Sequence, residues 1–156
     1  MSKNNTHVLA RAVIIDEKQI LLFKTLDMQK NFYFLPGGHV EHGESTKVAL
    51  HREMIEETGC EINIIRFLGC LENIFENSES CKCHNHEYSF IFEAESNDLK
   101  VHVPLKQLDA RMELLWLPLT QLGDIIFKAE ALKALIPQWL DMQANSVLAS
   151  VMLHED

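Results

Sequence analysis

Apolar and polar positions alternate in blocks along the first two thirds of the chain. His7 to Ile15 is apolar and β-branched, and after Asp16-Glu17-Lys18 the apolar run resumes from Gln19 to Lys24. That pattern predicts a strand, a short turn and a second strand. Thr25 to Asn31 reads as a polar loop, and Phe32 to Leu35 as a short strand entering a Pro36-Gly37-Gly38 turn. Two adjacent glycines allow backbone to approach a ligand closely. Thr46 to Thr58 contains no Gly or Pro and is rich in helix formers, with Glu44-Ser45 as a capping start and Gly59 as a stop. Glu61 to Phe75 alternates imperfectly and predicts a long strand bent at Gly69, followed by a polar loop from Asn77 to Asn85. His86 to Glu95 is the clearest alternating strand, and Asn97-Asp98 marks a turn. Trp116 stands at one end of a short strand leading to Pro118-Leu119. From Ala129 to Met142 the apolar residues Leu132, Leu135, Ile136, Trp139 and Leu140 keep helical spacing, with Pro137 expected to break or kink the helix. The apolar tail, Ser146 to Leu153, is expected to pack on its own domain in preference to a homodimer interface. Strands first and helices flanking them describe an α/β layering.

The helix from Thr46 to Thr58 carries the most chemistry. At about 100° per residue, with Val48 at zero, Glu56 falls near roughly 80°, Glu53 near roughly 140° and Glu57 near roughly 180°. Val48, Leu50, Met54 and Ile55 occupy roughly the remaining arc, so one face is predicted to be buried and the other to present three carboxylates. Like charges on adjacent turns repel and raise one another's pKa. Arg52, beside Glu53 and four residues before Glu56, offsets part of that charge. A hard divalent cation bridging carboxylates to phosphate oxygens would offset the rest.

Gly38, Glu44, Arg52-Glu53-Met54, Glu56-Glu57 and Gly59 keep the spacing of a known signature. Through these residues the chain resembles the Nudix (MutT-like) hydrolases, whose box they match from Gly38 to Cys60. The last box position, usually a bulky aliphatic, is Cys60 here, a small hydrophobe that affects helix-end packing more than chemistry. The resemblance extends more weakly to Phe34-Leu35-Pro36-Gly37, to the His86–Phe90 segment and to Glu113–Leu119. It implies a Nudix α/β/α sandwich, with a mixed β-sheet between the box helix and the C-terminal helix. It also implies Mg²⁺, replaceable by Mn²⁺, in hydrolysis of a nucleoside diphosphate linked to another moiety. By position, Glu53, Glu56 and Glu57 would ligate metal together with the Gly37 carbonyl, Arg52 would orient Glu53, and Glu44 would support the site from the loop. The general base varies within the family, leaving Glu53 and a glutamate outside the box, Glu87 or Glu113, as candidates.

The same chemistry follows from elementary considerations. A phosphoanhydride is polyanionic and repels an anionic nucleophile, so metals that neutralise it and lower the pKa of a water are needed, with a carboxylate to take the proton. No G-x-S-x-G or G-x-x-x-x-G-K-[ST] pattern competes. Outside the box, Arg11, Gly38, Phe75 and Glu87 are candidate substrate-binding residues, and Lys24 a further phosphate contact. Phe32, Tyr33, Phe75 and Trp116 are expected in the core, with Phe75 and Trp116 the first to examine against a nucleobase.

Length and charge then narrow the reading. The 156 residues, 47% hydrophobic, suit one domain over 1–156 with a real core. A net charge of −9 argues against duplex nucleic acid and anionic membranes as partners. The polar start, MSKNNTH, lacks the apolar run of a signal peptide, and no segment is apolar enough to span a bilayer, so a cytoplasmic protein is expected. Cys60, Cys70, Cys81 and Cys83 are then expected as free thiols. The spacing of Cys81, Cys83, His84 and His86 is too tight for a structural zinc site.

Substrate signatures downstream of the box are absent. Glu76 stands where the ADP-ribose subgroup has proline, and Glu76, Asn77 and Ser78 where the dinucleoside polyphosphate subgroup has tyrosine. The NADH-type and coenzyme A strings are missing too. A small-molecule nucleotide or nucleotide-sugar pyrophosphohydrolase remains, against two rivals: a non-catalytic nucleotide-binding Nudix module, and an isopentenyl diphosphate isomerase using Cys70.

Overall fold

A hairpin starts the sheet. The computed structural model describes residues 6–26, 29–74, 85–142 and 147–151. Strand β1 (Thr6–Asp16) turns back through Glu17 and Lys18, at φ 46° and 61°, into β2 (Gln19–Thr25). Two consecutive positive φ values match the twist of a tight antiparallel hairpin. Along β2, Leu21 and Phe23 enter one core while Ile20 and Leu22 enter the other. A strand covered on both faces reads as a continuous apolar run, which is what Ile20 to Phe23 shows.

The other strands extend this hairpin. β3 (Tyr33–Phe34) and β7 (Met112–Pro118) each pair antiparallel with β2, and β4 (Gly37–His39) pairs antiparallel with β1. β6 (His86–Glu95) runs parallel to β1 and antiparallel to β5 (Asn63–Ile74), and β8 (Leu148–Val151) lies parallel on the outer edge of β5. The sheet is therefore mixed. Helix α1 (Thr46–Thr58) covers one face, where Ala49, Leu50 and Met54 meet Ala10, Ala12 and Ile14. Helix α2 (Leu132–Leu140) covers the other, with Leu132, Ile136 and Trp139 against Val13, Leu68 and Ile91. This is the expected α/β/α sandwich.

Several boundaries differ from the sequence reading, each for a physical reason. The Pro-Gly-Gly turn continues into strand β4, because Gly37 at φ 120° sets its backbone against β1. The strand at Trp116 begins earlier, at Met112. The C-terminal helix begins later, after Ala129 at φ 61°, and runs through Pro137 instead of breaking there. Burial of Leu132, Ile136 and Trp139 outweighs the single i→i−4 hydrogen bond that proline removes. Strand β5 bends as expected, with register shifts between Ile64 and Arg66 and between Phe67 and Gly69. On α1, Val48 and Ile55 are 56% and 49% exposed, so the buried stripe is narrower than the apolar positions suggested. Of the apolar tail, Leu148–Val151 form β8 in the chain's own sheet, and Ser146, Met152 and Leu153 lie outside the described residues. Among the described residues, no helix is long and apolar enough to cross a membrane.

Candidate active site

The caps of α1 fix where the helix starts and stops. Ser45 Oγ accepts from Val48 N–H at 3.2 Å, and Gly59 N–H closes the helix on Ile55 O at 2.9 Å. Both caps fall where the sequence places them. The polar face of α1 lies beside the Gly37-Gly38 backbone, where Glu57 and Glu53 meet the two glycines.

Those glycines are required by protein, not by ligand, in this structure. A Cβ on Gly37 would sit 2.1 Å from Ala10 O, and one on Gly38 would sit 2.5 Å from Glu53 Cδ. Gly38 therefore lies flat against the Glu53 carboxylate. Gly37 N–H donates to Glu57 Oε2 at 3.0 Å. On the other side, Arg11 Nη1 donates to Leu35 O at 3.0 Å and also to Gly37 O. The loop is thus clamped between Arg11 of β1 and Glu57 of α1.

Arg52 organises the remaining carboxylates. Its Nε and Nη2 bond both oxygens of Glu44 at 2.7 and 3.0 Å, and its Nη1 reaches Glu53 at 2.9 Å and Glu56 at 3.3 Å. Nη2 also donates to His39 O at 3.0 Å. This planar fork fits carboxylates in a way lysine could not. Hydrogen bonding to Arg52, with help from Glu41 N–H, holds Glu44 down at about 2. Glu57 moves the other way. Burial pushes it up to about 7; Gly37 N–H and Arg11 oppose this, while Glu53 and Glu56 add repulsion. Burial also lowers the pKa of Arg11, against the raising effects of Glu57, Glu87 and Glu53.

Glu44, Arg52, Glu53, Glu56 and Glu57 therefore assemble around one loop, as the spacing predicted. The joint three-carboxylate grip does not. Among the described residues no three His, Cys, Asp or Glu side chains form a ready ion-holding group. Arg52 draws Glu53 and Glu56 towards itself, while Gly37 N–H draws Glu57.

The candidates outside the box scatter more. Glu87 is buried on β6, in a small cavity of about 20 Å³ also lined by Arg11, Ser89 and Lys128. Glu113 lies on β7 opposite Lys24 in register. Lys24 Nζ sits 5.9 Å from the Tyr33 ring centroid instead of lining the site. Trp116 packs against the α1-side core. Phe75, Cys81, Cys83 and His84 lie outside the described residues, and His86 Nδ1 is 3.2 Å from Thr6 Oγ1. Cys70 is buried on β5, with its thiol pushed up by burial and by Glu72.

A larger cavity of about 450 Å³ adjoins Arg11, lined also by Thr25, Phe32, Phe34, Arg111 and Lys128. Phe32 is placed in its wall and not in the core, contrary to expectation. Arg111 and Lys128 carried no signal in the sequence, and Phe34 only as the start of the weaker Phe34–Gly37 match, because only the pairing of β2 with β3 and β7, and a bridge from Tyr33 to Phe127, brings them together.

Comparison with known proteins agrees with this fold. The NUDIX domain family matches residues 5–140. A NAD-capped RNA hydrolase, NudC, from Pasteurella multocida (strain Pm70) is 40% identical over 60 residues, 38% of this chain and 23% of that protein. The chain thus spans about a quarter of the length of this curated relative. Among solved structures, a NUDIX hydrolase from Nitrosomonas europaea superposes with a TM-score of 0.69 at 20% identity, covering 89% of this chain and 91% of that one. A UDP-X diphosphatase gives 0.69 at 19% identity, covering 95% and 69% respectively. A MutT protein from Methanosarcina mazei Go1 gives 0.67 at 20% identity, covering 92% and 99%. The chain belongs to the NUDIX domain family and has the fold of its hydrolases.

Proposed function

We propose that this protein is a Mg²⁺-dependent pyrophosphohydrolase that cleaves a phosphoanhydride in a nucleoside diphosphate linked to another moiety. One observation carries the reading: four glutamates and Arg52 are organised around the Gly37-Gly38 backbone, with Glu57 raised to about 7 by burial and by its neighbours. The NudC relative is named as a hydrolase and one structural neighbour as a diphosphatase, which supports the same reaction class.

The donor set fits a hard divalent cation. Carboxylate oxygens are its preferred ligands, and Mg²⁺ characteristically takes one or two of them together with phosphate oxygens and water. A closed cage of three carboxylates is therefore not required. Glu53, Glu56 and Glu57, with the Gly37 carbonyl, would hold the ion. When bound, the ion neutralises phosphate oxygens and lowers the pKa of a water. Arg52 fixes Glu53 in position to accept that water's proton, and Glu44 fixes Arg52. Arg11, already beside the loop, offers its guanidinium to the phosphates. Nothing in this scheme needs a covalent intermediate; positioning and charge do the work.

The test is a panel of nucleoside diphosphate derivatives assayed for phosphate-containing products with Mg²⁺ and with Mn²⁺. Glu53→Gln and Glu57→Gln should each lower turnover by orders of magnitude while leaving the circular dichroism spectrum unchanged. Near-normal turnover in Glu53→Gln with loss in Glu87→Gln would move the general base to Glu87. Metal-independent binding without turnover across the panel would return the non-catalytic module.

A further inference from the structure

The cavity beside Arg11 is cationic in a protein whose net charge is −9. Its volume of about 450 Å³ lies in the range of small-molecule sites. Arg11, Arg111 and Lys128 all line it, and among the described residues no carboxylate does. Opposite charge at that density in an acidic protein is a local device for an anion.

The rest of the lining is aromatic. Phe34 stacks on Phe23 with ring centroids 5.7 Å apart and leans against Phe32 at 6.3 Å, so the wall is braced from behind. The Arg11 guanidinium lies 5.8 Å from the Phe34 centroid. Such a surface takes a planar ring by stacking.

The cations divide the work. Arg11 reaches the Gly37 loop and so belongs to the cleavage side. Arg111 is held by Asp109 at 3.1 and 2.8 Å, which fixes its guanidinium and offsets its charge. Lys128 forms no ion pair among the described residues, and its backbone N–H is anchored on Tyr33 O at 2.8 Å. It lines the cavity wall and shares the small adjoining cavity with Glu87, without an ion pair to it.

Resting on the hydrolase reading above, we infer that this cavity selects a substrate whose nucleoside carries a ribose phosphate beyond the diphosphate being cleaved, and that Lys128 is the specificity-determining residue. A neutral hydroxyl in that place leaves the ammonium without a partner, so the unphosphorylated counterpart binds more weakly.

The test separates this inference from the hydrolase reading by measuring binding as well as turnover. Calorimetry on the wild-type protein compares AMP with adenosine 2′,5′-bisphosphate and adenosine 3′,5′-bisphosphate, which place the additional phosphate at two positions. At least one bisphosphate should bind about tenfold or more tightly than AMP, and the advantage should shrink with added salt. Lys128→Glu should abolish the preference and Lys128→Arg should keep it. In turnover, NADP⁺ against NAD⁺ and coenzyme A against dephospho-coenzyme A form matched pairs, and kcat/KM should favour the phosphorylated member of at least one. Equal binding of all three nucleotides, no binding of any, or a preference that survives Lys128→Glu overturns the inference. Failure to cleave any diphosphate with a metal, while the bisphosphate preference holds, overturns the hydrolase reading instead.

Discussion

The backbone of Gly38 and the carboxylate of Glu53 are in direct contact, so close that a Cβ at position 38 would sit 2.5 Å from Cδ and 2.6 Å from Oε2. The smallest residue thus holds the proposed general base in place. Gly38→Ala should displace Glu53 and lower kcat by about 10²-fold, as an ångström of misplacement does. Thermal unfolding should change little, because the Glu53 side chain can swing aside. Unaltered kcat in a folded Gly38→Ala variant would show that the placement of Glu53 is not critical.

Arg52 and Glu44 form the two-point contact that steers the other carboxylates. Arg52→Lys keeps the charge but loses the fork, so turnover should fall by about an order of magnitude or more through misplacement of Glu53. Glu44→Gln should lower turnover in the same direction, and the double variant should be no worse than Arg52→Lys alone. Additive losses in the steady-state kinetics would mean that the two residues act separately.

Glu57 makes metal-free stability depend on pH. Its folded value of about 7 lies above the ordinary 4.5. Between those values the folded state binds more protons than the unfolded state, so stability is greatest below pH 4.5 for this group and falls as pH rises through 7. The loss is on the order of 1–3 kcal/mol. Urea midpoints measured with a chelator should therefore decline across that window in the wild type and decline less in Glu57→Gln. Mg²⁺ at pH 8 should raise the wild-type midpoint, and Mg²⁺ binding measured at about pH 6, where Glu57 is still protonated, should release protons. Parallel pH profiles for the two proteins would refute this account.

Gly69 lies beneath the Trp139 ring, where a Cβ would come within 2.5 Å of Cε2 and Cζ2 and within 2.8 Å of Val147 O. Gly69→Ala should overpack the α2-side core and cost about 1–3 kcal/mol. The thermal midpoint should drop by several degrees and Trp139 fluorescence should change, while kcat of the folded fraction stays at the wild-type value.

The box helix was legible because its signals are local. Ser45, Gly59 and the spacing of Glu53, Glu56 and Glu57 are short-range features, and the caps and Arg52 contacts form within one segment of chain. The same wheel misplaced Val48 and Ile55, since hydrophobicity does not say how wide a stripe the opposing layer will cover. Here only Ala49, Leu50, Met54 and Thr58 of α1 are buried. The Gly-Gly pair signalled close approach correctly but not what is approached, which is Ala10 O and Glu53.

Residue order by itself determined the succession of strands and helices, the carboxylate helix and the arginine that offsets its charge, because each rests on periodicity or on neighbours a turn apart. The α/β/α sandwich and the orienting of Glu53 by Arg52 came from the family resemblance. Only the assembled sheet decided that Arg11 clamps the Gly37 loop, that Arg52 and Gly37 divide the glutamates between them, and that Phe32, Phe34, Arg111 and Lys128 share one cavity. Those relationships join residues far apart in the chain, and strand pairing alone sets the distances between them.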